Sequence, residues 1–288
     1  MTKAIGIDFG VVHAVFRKDF GGYLSNPTGY VFLTLFIGAT AAAAFVRDEF
    51  FTRNLADLGL LNQVMPYILA FFVSALTMTA WADEARAGTD ELLLTLPVRD
   101  SEVILGKYLG ALAMYSIALL FSITHVIVLA YLGDPDPGLM ASTYFGYWLM
   151  GALLVAIGLL ASIVSTNPTS AFVLSVLAVA GLVFANSAGA GIVGGVGFGL
   201  AGALLWLVIR GDAKGAVWAG LIAGGVPLVL WALGVWSGFG DLLGSIALED
   251  HFRSFGTGVV RLADLLYFAG GTVLALYLGV LLLGRRHW

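Results

Sequence analysis

Eight long apolar blocks constrain this chain more than any other feature. A hydrocarbon layer about 30 Å thick takes roughly 20 helical residues to cross. Within it every backbone N–H and C=O must find a partner inside the protein, which leaves helices or closed barrels. The blocks are Thr28–Val46, Val64–Trp81, Lys107–Leu132, Ser142–Val164, Ser170–Ala188, Ile192–Ile209, Ala216–Trp236 and Leu262–Leu283. They run far beyond the ten or so residues of a barrel strand, so the expected fold is all-α: a polytopic membrane helix bundle of about eight transmembrane helices. Only a Gly/Ala/Ser hinge, Asn186–Gly191, separates the fifth block from the sixth. Charged residues are 11% of the chain, against about 25% in soluble domains, too few to cover a water-facing surface.

Lys and Arg placement orients the bundle. With the N-terminus in the cytoplasm, the inner segments hold all of the 14 Lys and Arg except Arg47, Arg53, Arg253 and Arg261. An even number of spans then returns the C-terminus, with Arg285 and Arg286, to the same side. The first residues carry Lys3, Asp8, Arg17, Lys18 and Asp19 and lack the uninterrupted apolar centre of a secretory signal. In residues 1–27, Phe9, Val12, Phe16, Phe20 and Tyr23 recur at helical steps, while His13, Arg17 and Lys18 fall on another face. This predicts an amphipathic helix lying in the headgroup layer, or an ordinary flanking segment, ending near Pro27.

Several chemistries are missing. Lys107 and Asp264 lie within the blocks, but each reads as a first-turn residue at headgroup level, leaving no carboxylate at midplane to carry a proton or sodium ion. Energy for pumping is then expected from outside the bundle. No GxxxxGK[ST] loop is present to cradle ATP phosphates, and with no cysteine there are no thiolate sites. A net charge of −4 without a basic stripe excludes a nucleic-acid partner. Gly189, Gly191 and Gly194, and again Gly197, Gly199 and Gly202, match GxGxxG. They lie between apolar blocks rather than in a βαβ unit, and Gly191, Gly195 and Gly199 at four-residue spacing read as helix-packing positions. His125 reads as a hydrogen-bonded packing residue, with ligand or proton relay as the alternative. No paired Asp, HExxH or Ser/His pairing supports an intramembrane enzyme, and no catalytic, cofactor-binding or metal residue is assigned.

The connection 82–106, after the second block, carries the most information. Its charged beginning leads to Leu92, Leu93, Leu94 and Leu96 beside Asp90, Glu91 and Thr95, and Pro97 closes the run. Asp100 or Ser101 is expected to cap the next helix, with Glu102 favoured by the helix dipole. A leucine patch with an acidic rim fits a groove on a soluble partner, or equally a re-entry loop resting on the bilayer.

The run from Glu84 through Arg86, Gly88, Thr89, Glu91, the leucines and Pro97 to Gly106-Lys107 resembles the signature of ABC-2 type transporter permeases. The nearest branch is the one with gliding-motility permeases and the permease of nitrous-oxide-reductase maturation. Similarity extends to Tyr131–Asp136, Ser162–Val173 and Phe252–Phe268. The resemblance implies a transmembrane domain, residues 28–288, with a six-span core that works as a pair of permease chains, identical or related, on two ATP-binding subunits. ATP and Mg would sit on those partners, not here. It makes 82–106 the coupling-helix loop, with Glu84, Arg86, Gly88, Thr89 and Glu91 as polar contacts and Leu92, Leu93, Leu94, Leu96 and Pro97 as the apolar part. It places the chain in the inner membrane of a prokaryote and makes the segment 237–261, chiefly Ile246–Val260, an external helical feature that an accessory protein can meet. The departure is 192–236, an inserted two-span hairpin. The function expected is that of the permease subunit of an ATP-driven transporter, exporting a substrate or transmitting force. The alternative is a passive channel or structural membrane component.

Overall fold

The computed structural model describes residues 7–46, 48–53, 56–89, 98–183, 199–200, 202–203, 206, 210, 212–233 and 246–284. Among them every regular element is a helix: α1 Phe9–Ser25, α2 Pro27–Phe45, α3 Asp48–Arg53, α4 Gly59–Thr77, α5 Thr79–Ala87, α6 Asp100–Ser122, α7 Thr124–Leu132, α8 Pro137–Val164, α9 Pro168–Val183, α10 Ala213–Ala232, α11 Leu248–Gly256 and α12 Leu262–Gly284. The all-α membrane bundle expected from the apolar blocks is what forms.

Four described runs are long and apolar enough to cross a membrane: α4 with α5, α6 with α7, α8, and α12. The helices α1 and α2, bent by 73° at their junction, make a fifth if taken as one broken span. The first predicted span is thus one arm of an elbow. The fifth and seventh correspond to the shorter apolar helices α9 and α10. The sixth, Ile192–Ile209, and the hinge Asn186–Gly191 fall largely or wholly outside the described residues.

Helix α8 is the hub. It is the most buried span, and it packs against α4, α6, α9, α11 and α12. Gly146, Gly151 and Gly158 make this possible, because at each a Cβ would collide with a side chain of a neighbouring helix, Phe255, Tyr115 and Thr77 respectively. Small residues let helices approach where lipid supplies no hydrophobic drive. The same device holds the hairpin region, where a Cβ on Gly199 would lie 3.0 Å from the Gly220 carbonyl oxygen and one on Gly202 3.2 Å from that of Ala219. Gly199 is a packing position, as its spacing predicts, while Gly191 and Gly195 lie outside the described residues.

Several boundaries differ from the sequence reading, the start of the fourth span at Pro137 rather than Ser142 among them. The second span begins at Gly59 rather than Val64 and continues as α5 to Ala87, and the third begins at Asp100 rather than Lys107. Helix therefore occupies much of 82–106, and only 88–99 connects the two. Apolarity stops at Trp81, but the helix does not, because Glu84 finds partners inside the protein and Asp83 pairs with Arg86 along the helix. The third span is also broken, at Ile123 between α6 and α7.

Helix α1 packs on α6 through Val12, Val15 and Asp19. A Cβ on Gly106 would lie 2.6 Å from Val15 Cβ, and one on Gly110 3.3 Å from Asp19 Cβ. Val12 is buried, and Phe16, Phe20 and Tyr23 are half-buried, Tyr23 donating to the Leu76 carbonyl of α4 at 3.1 Å. Phe9, at the start of the apolar stripe, is exposed. His13, Arg17 and Lys18 do face outward. Helix α1 stops at Ser25, and Pro27 opens α2, where a missing N–H costs nothing.

The two ends of the bundle are distinct. One holds the α5–α6 connection, the ends of α8 and α12, and α1. The other holds α11 and the starts of α4, α8 and α12.

Candidate functional site

The site is the root of the α5–α6 connection. Lys107 sits two turns into α6, only 3% exposed in its side chain. At 1.5 Å per residue this is about 10 Å from the helix start, so it is not the first-turn residue that its place in the third block implies. A buried ammonium is costly without partners, and this one is surrounded. Nζ donates to Asp19 Oδ2 at 3.2 Å, to Glu84 Oε1 at 3.0 Å and to the Ala80 carbonyl at 2.7 Å. The Trp81 ring lies 4.7 Å away, within cation–π range. Lys18 Nζ meets the same Glu84 oxygen at 2.8 Å. Three segments distant in sequence, α1, α5 and α6, are thereby tied through one charge. The second Glu84 oxygen and Trp81 Nε1 are buried without a hydrogen-bond partner among the described residues.

Glu102 makes a second tie. Its side chain accepts from the backbone N–H of Arg99 at 3.0 Å and from that of Asp8 at 2.9 Å. It caps α6 from within, in the N3 half of a capping box, and fastens the start of α1. Neither Asp100 nor Ser101 is the cap: Arg99 holds the N-cap position.

A third tie lies at the α4–α5 break. Met78 interrupts the helical ladder, and the N–H groups of Trp81 and Ala82 donate to Ser162 Oγ of α8 at 3.0 and 3.1 Å. Ser162 in turn donates to the Met78 carbonyl at 3.1 Å. A broken span is tolerated where a neighbouring hydroxyl satisfies the freed backbone.

Glu84 and Arg86, named with Gly88 and Thr89 from the sequence, part company in the structure. Glu84 points inward, into the Lys107 cluster. Arg86, Gly88 and Thr89 are exposed, and Arg86 pairs with Asp83 at 3.3 Å. Gly88 ends α5 with φ +66°, a left-handed conformation that favours glycine. The Thr89 N–H then reaches the Glu84 carbonyl at 3.0 Å, closing the helix end. Glu91, Leu92, Leu93, Leu94, Leu96 and Pro97 lie outside the described residues.

At the other end, Asp264 is buried and accepts from Ser254 Oγ at 2.5 Å, while its other oxygen lies 2.8 Å from His251 Nδ1. The His251 ring stacks on Tyr267 at 3.9 Å. Asp264 is a first-turn residue as read from sequence, but one enclosed by protein. His125 Nε2 lies 2.9 Å from Thr40 Oγ1, beside the Phe45 ring, which fits the packing reading.

The family described as ABC-2 family transporter protein matches residues 56–203, just over half of the chain. The chain belongs to this family. No curated protein matches it. The matched stretch of this permease runs from the start of α4 through the connection, α6, α8 and α9, so it contains Glu84, Lys107 and Ser162. It also continues past Ile192, into the first part of the region expected to be an insertion. The chain is therefore a multi-pass membrane protein and the permease component of an ABC transporter.

The sequence signal for the missed group was present. Lys107 is an ionisable residue flanked by Val103, Ile104, Leu105 and Leu109. An ammonium in such a setting needs a carboxylate partner, but Glu102, Asp100, Glu91 and Asp90 are nearer in sequence than Glu84 and Asp19, so only the need and not the partner was legible.

Proposed function

We propose that the permease converts ATP hydrolysis by two separate ATP-binding subunits into movement of its helices. Two permease chains, identical or related, switch together between two packings and export a substrate or transmit force to an external partner. The motor docks on residues 88–99 and on Arg86, with Thr89, Glu91 and the leucines as contacts. In this reading both termini and the connection face the cytoplasm of a prokaryote, α11 faces outward, and the gliding-motility-like branch stands on the motif resemblance.

The observation that supports this most is the Lys107 cluster. It makes the root of the connection one body with α1, α5 and α6, while Ser162 adds α8. Force applied at 88–99 then has a stiff route to the hub helix.

Glu91→Arg tests it. The variant inserts normally but loses the ATP-binding subunit on co-purification, or retains it with ATPase activity uncoupled from transport. Wild-type binding and coupling in that variant would refute the docking assignment. The chain has no native cysteine, so single cysteines report topology directly. Those at Asp90, Ala213 and His287 label from the cytoplasm, and one at Asp136 labels from outside.

A further inference from the structure

A cleft of about 610 Å³ opens between the α1–α2 elbow and the α4–α5 helices. This is within the range of small-molecule sites, about 300–1,000 Å³. Its two ends differ in chemistry. One is walled by Phe32, Leu35, Phe71 and Phe72, and the other by Lys18, Asp19, Asp83, Glu84 and Lys107. From Phe71 to Thr79 the apolar part runs about 12 Å along α4.

The apolar lip opens sideways. Val31, Leu35 and Phe71 are each more than half exposed, and all lie on helices of membrane-spanning character. A molecule entering there comes from the bilayer, not from water. At the polar mouth two charges remain reachable. Lys18 is 64% exposed in its side chain and Asp83 is 44% exposed. The Asp83–Arg86 pair is solvent-facing and of little cost to exchange, whereas Lys18 shares its Glu84 oxygen with the buried Lys107 and keeps that contact. Lys107 and Glu84 are held by the inner cluster. Lys18 and Asp83 are thus the reachable cation and anion, and with Asp19 beside them the mouth favours a headgroup that carries its own cation over one that is only anionic.

We propose that this cleft binds one zwitterionic, amine-bearing glycerophospholipid from the surrounding leaflet. An acyl chain lies along Phe32, Leu35, Phe71 and Phe72. The phosphate meets the Lys18 ammonium, and the lipid ammonium donates to Asp83. A quaternary headgroup has no N–H to donate, and an anionic headgroup offers Asp83 no cation, so both bind less well. The site needs only the membrane reading and is independent of whether ATP drives the protein.

The test uses the full-length permease, stripped of lipid in detergent and titrated with dioleoyl phosphatidylethanolamine, phosphatidylcholine or phosphatidylglycerol, with bound lipid counted by native mass spectrometry. One phosphatidylethanolamine is retained per chain, about tenfold more tightly than either competitor, as expected when a charge-assisted hydrogen bond is at stake. Asp83→Asn removes that preference. Leu35→Trp lowers retention of all three lipids, with the melting temperature unchanged. Val31→Trp closes the same lip one turn away and gives the same loss if Leu35→Trp disturbs packing. Equal retention of the three lipids by the wild-type chain, preference for phosphatidylglycerol, or wild-type retention in both tryptophan variants would each overturn the site.

Discussion

The two ends of the bundle are closed by different physics. At the connection end the closure is ionic and long-range. Lys107 reaches Asp19, 88 residues away, and Glu84, 23 residues away, and Asp8 bonds to Glu102, 94 residues away. At the far end the charged contact is local. His251 and Ser254 meet Asp264 across 13 and 10 residues. The long-range bonds there are neutral, Ser142 Oγ donating to the Phe255 carbonyl across 113 residues, beside aromatic packing of Phe252 and Phe255 on α8. Only the charged cap can form from one stretch of chain. The ionic closure exists only when α1, α5 and α6 are already together, so it reports their relative position.

Lys107→Met is the strongest way to break this contrast. It leaves two carboxylates beside the membrane region without their shared cation, and about 3–5 kcal/mol of stability should be lost. Thermal unfolding in detergent measures it, and a variant within 1 °C of wild type would show that the cluster is not a tie.

Glycine substitutions weigh the ends by packing alone. A Cβ at Gly106 would lie 2.6 Å from Val15 Cβ, and one at Gly146 would lie 2.6 Å from Phe255 Cβ. Gly106→Ala and Gly146→Ala should each cost about 1–3 kcal/mol. Only Gly106→Ala should expose α1 to limited proteolysis, and only Gly146→Ala should expose α11.

Ser162→Ala strands the Trp81 and Ala82 N–H groups at the α4–α5 break. A loss of about 1–3 kcal/mol is expected, with faster amide exchange confined to residues 78–83. Asp264→Asn, its counterpart at the far end, changes exchange only in α11 and the first turns of α12.

Arg86→Ala is the smallest change. Its pair with Asp83 is exposed, so stability should move by less than about 1 kcal/mol. Any larger effect on co-purification of the ATP-binding subunit then belongs to docking rather than folding, which separates the connection from its root.

Much of this was legible before folding. Blocks of about 20 apolar residues mark spans whatever packs around them, and four long helices lie where the second, third, fourth and last blocks do. The glycine spacing around Gly199 read as packing, and the segment before the last span as a helical feature. Lys107 was misplaced because a hydropathy boundary records where apolar residues begin, not where backbone hydrogen bonding begins. Glu84 was assigned to the partner contact by the family resemblance, which says nothing of where this side chain turns. Its direction depends on Asp19 and Lys18, which the sequence leaves 65 and 66 positions away. The apolar stripe of α1 was visible, but the contact with Gly106 and Gly110 of α6 is made by Val15 and Asp19, beside that stripe, and only the packed helices show it.

By itself the amino-acid sequence determined the solvent for this chain, the helical class that this solvent enforces, and the charged connection with its family signature. All follow from local composition, because a membrane tests each segment separately for length and apolarity. Tertiary structure alone decided that Lys107 is shared between α1 and α5, that Ser162 mends the break at Met78, and that the α1–α2 elbow leaves a two-ended cleft against α4. These arise where helices distant in sequence meet, and their energies come from pairs of groups rather than from any one residue's preference.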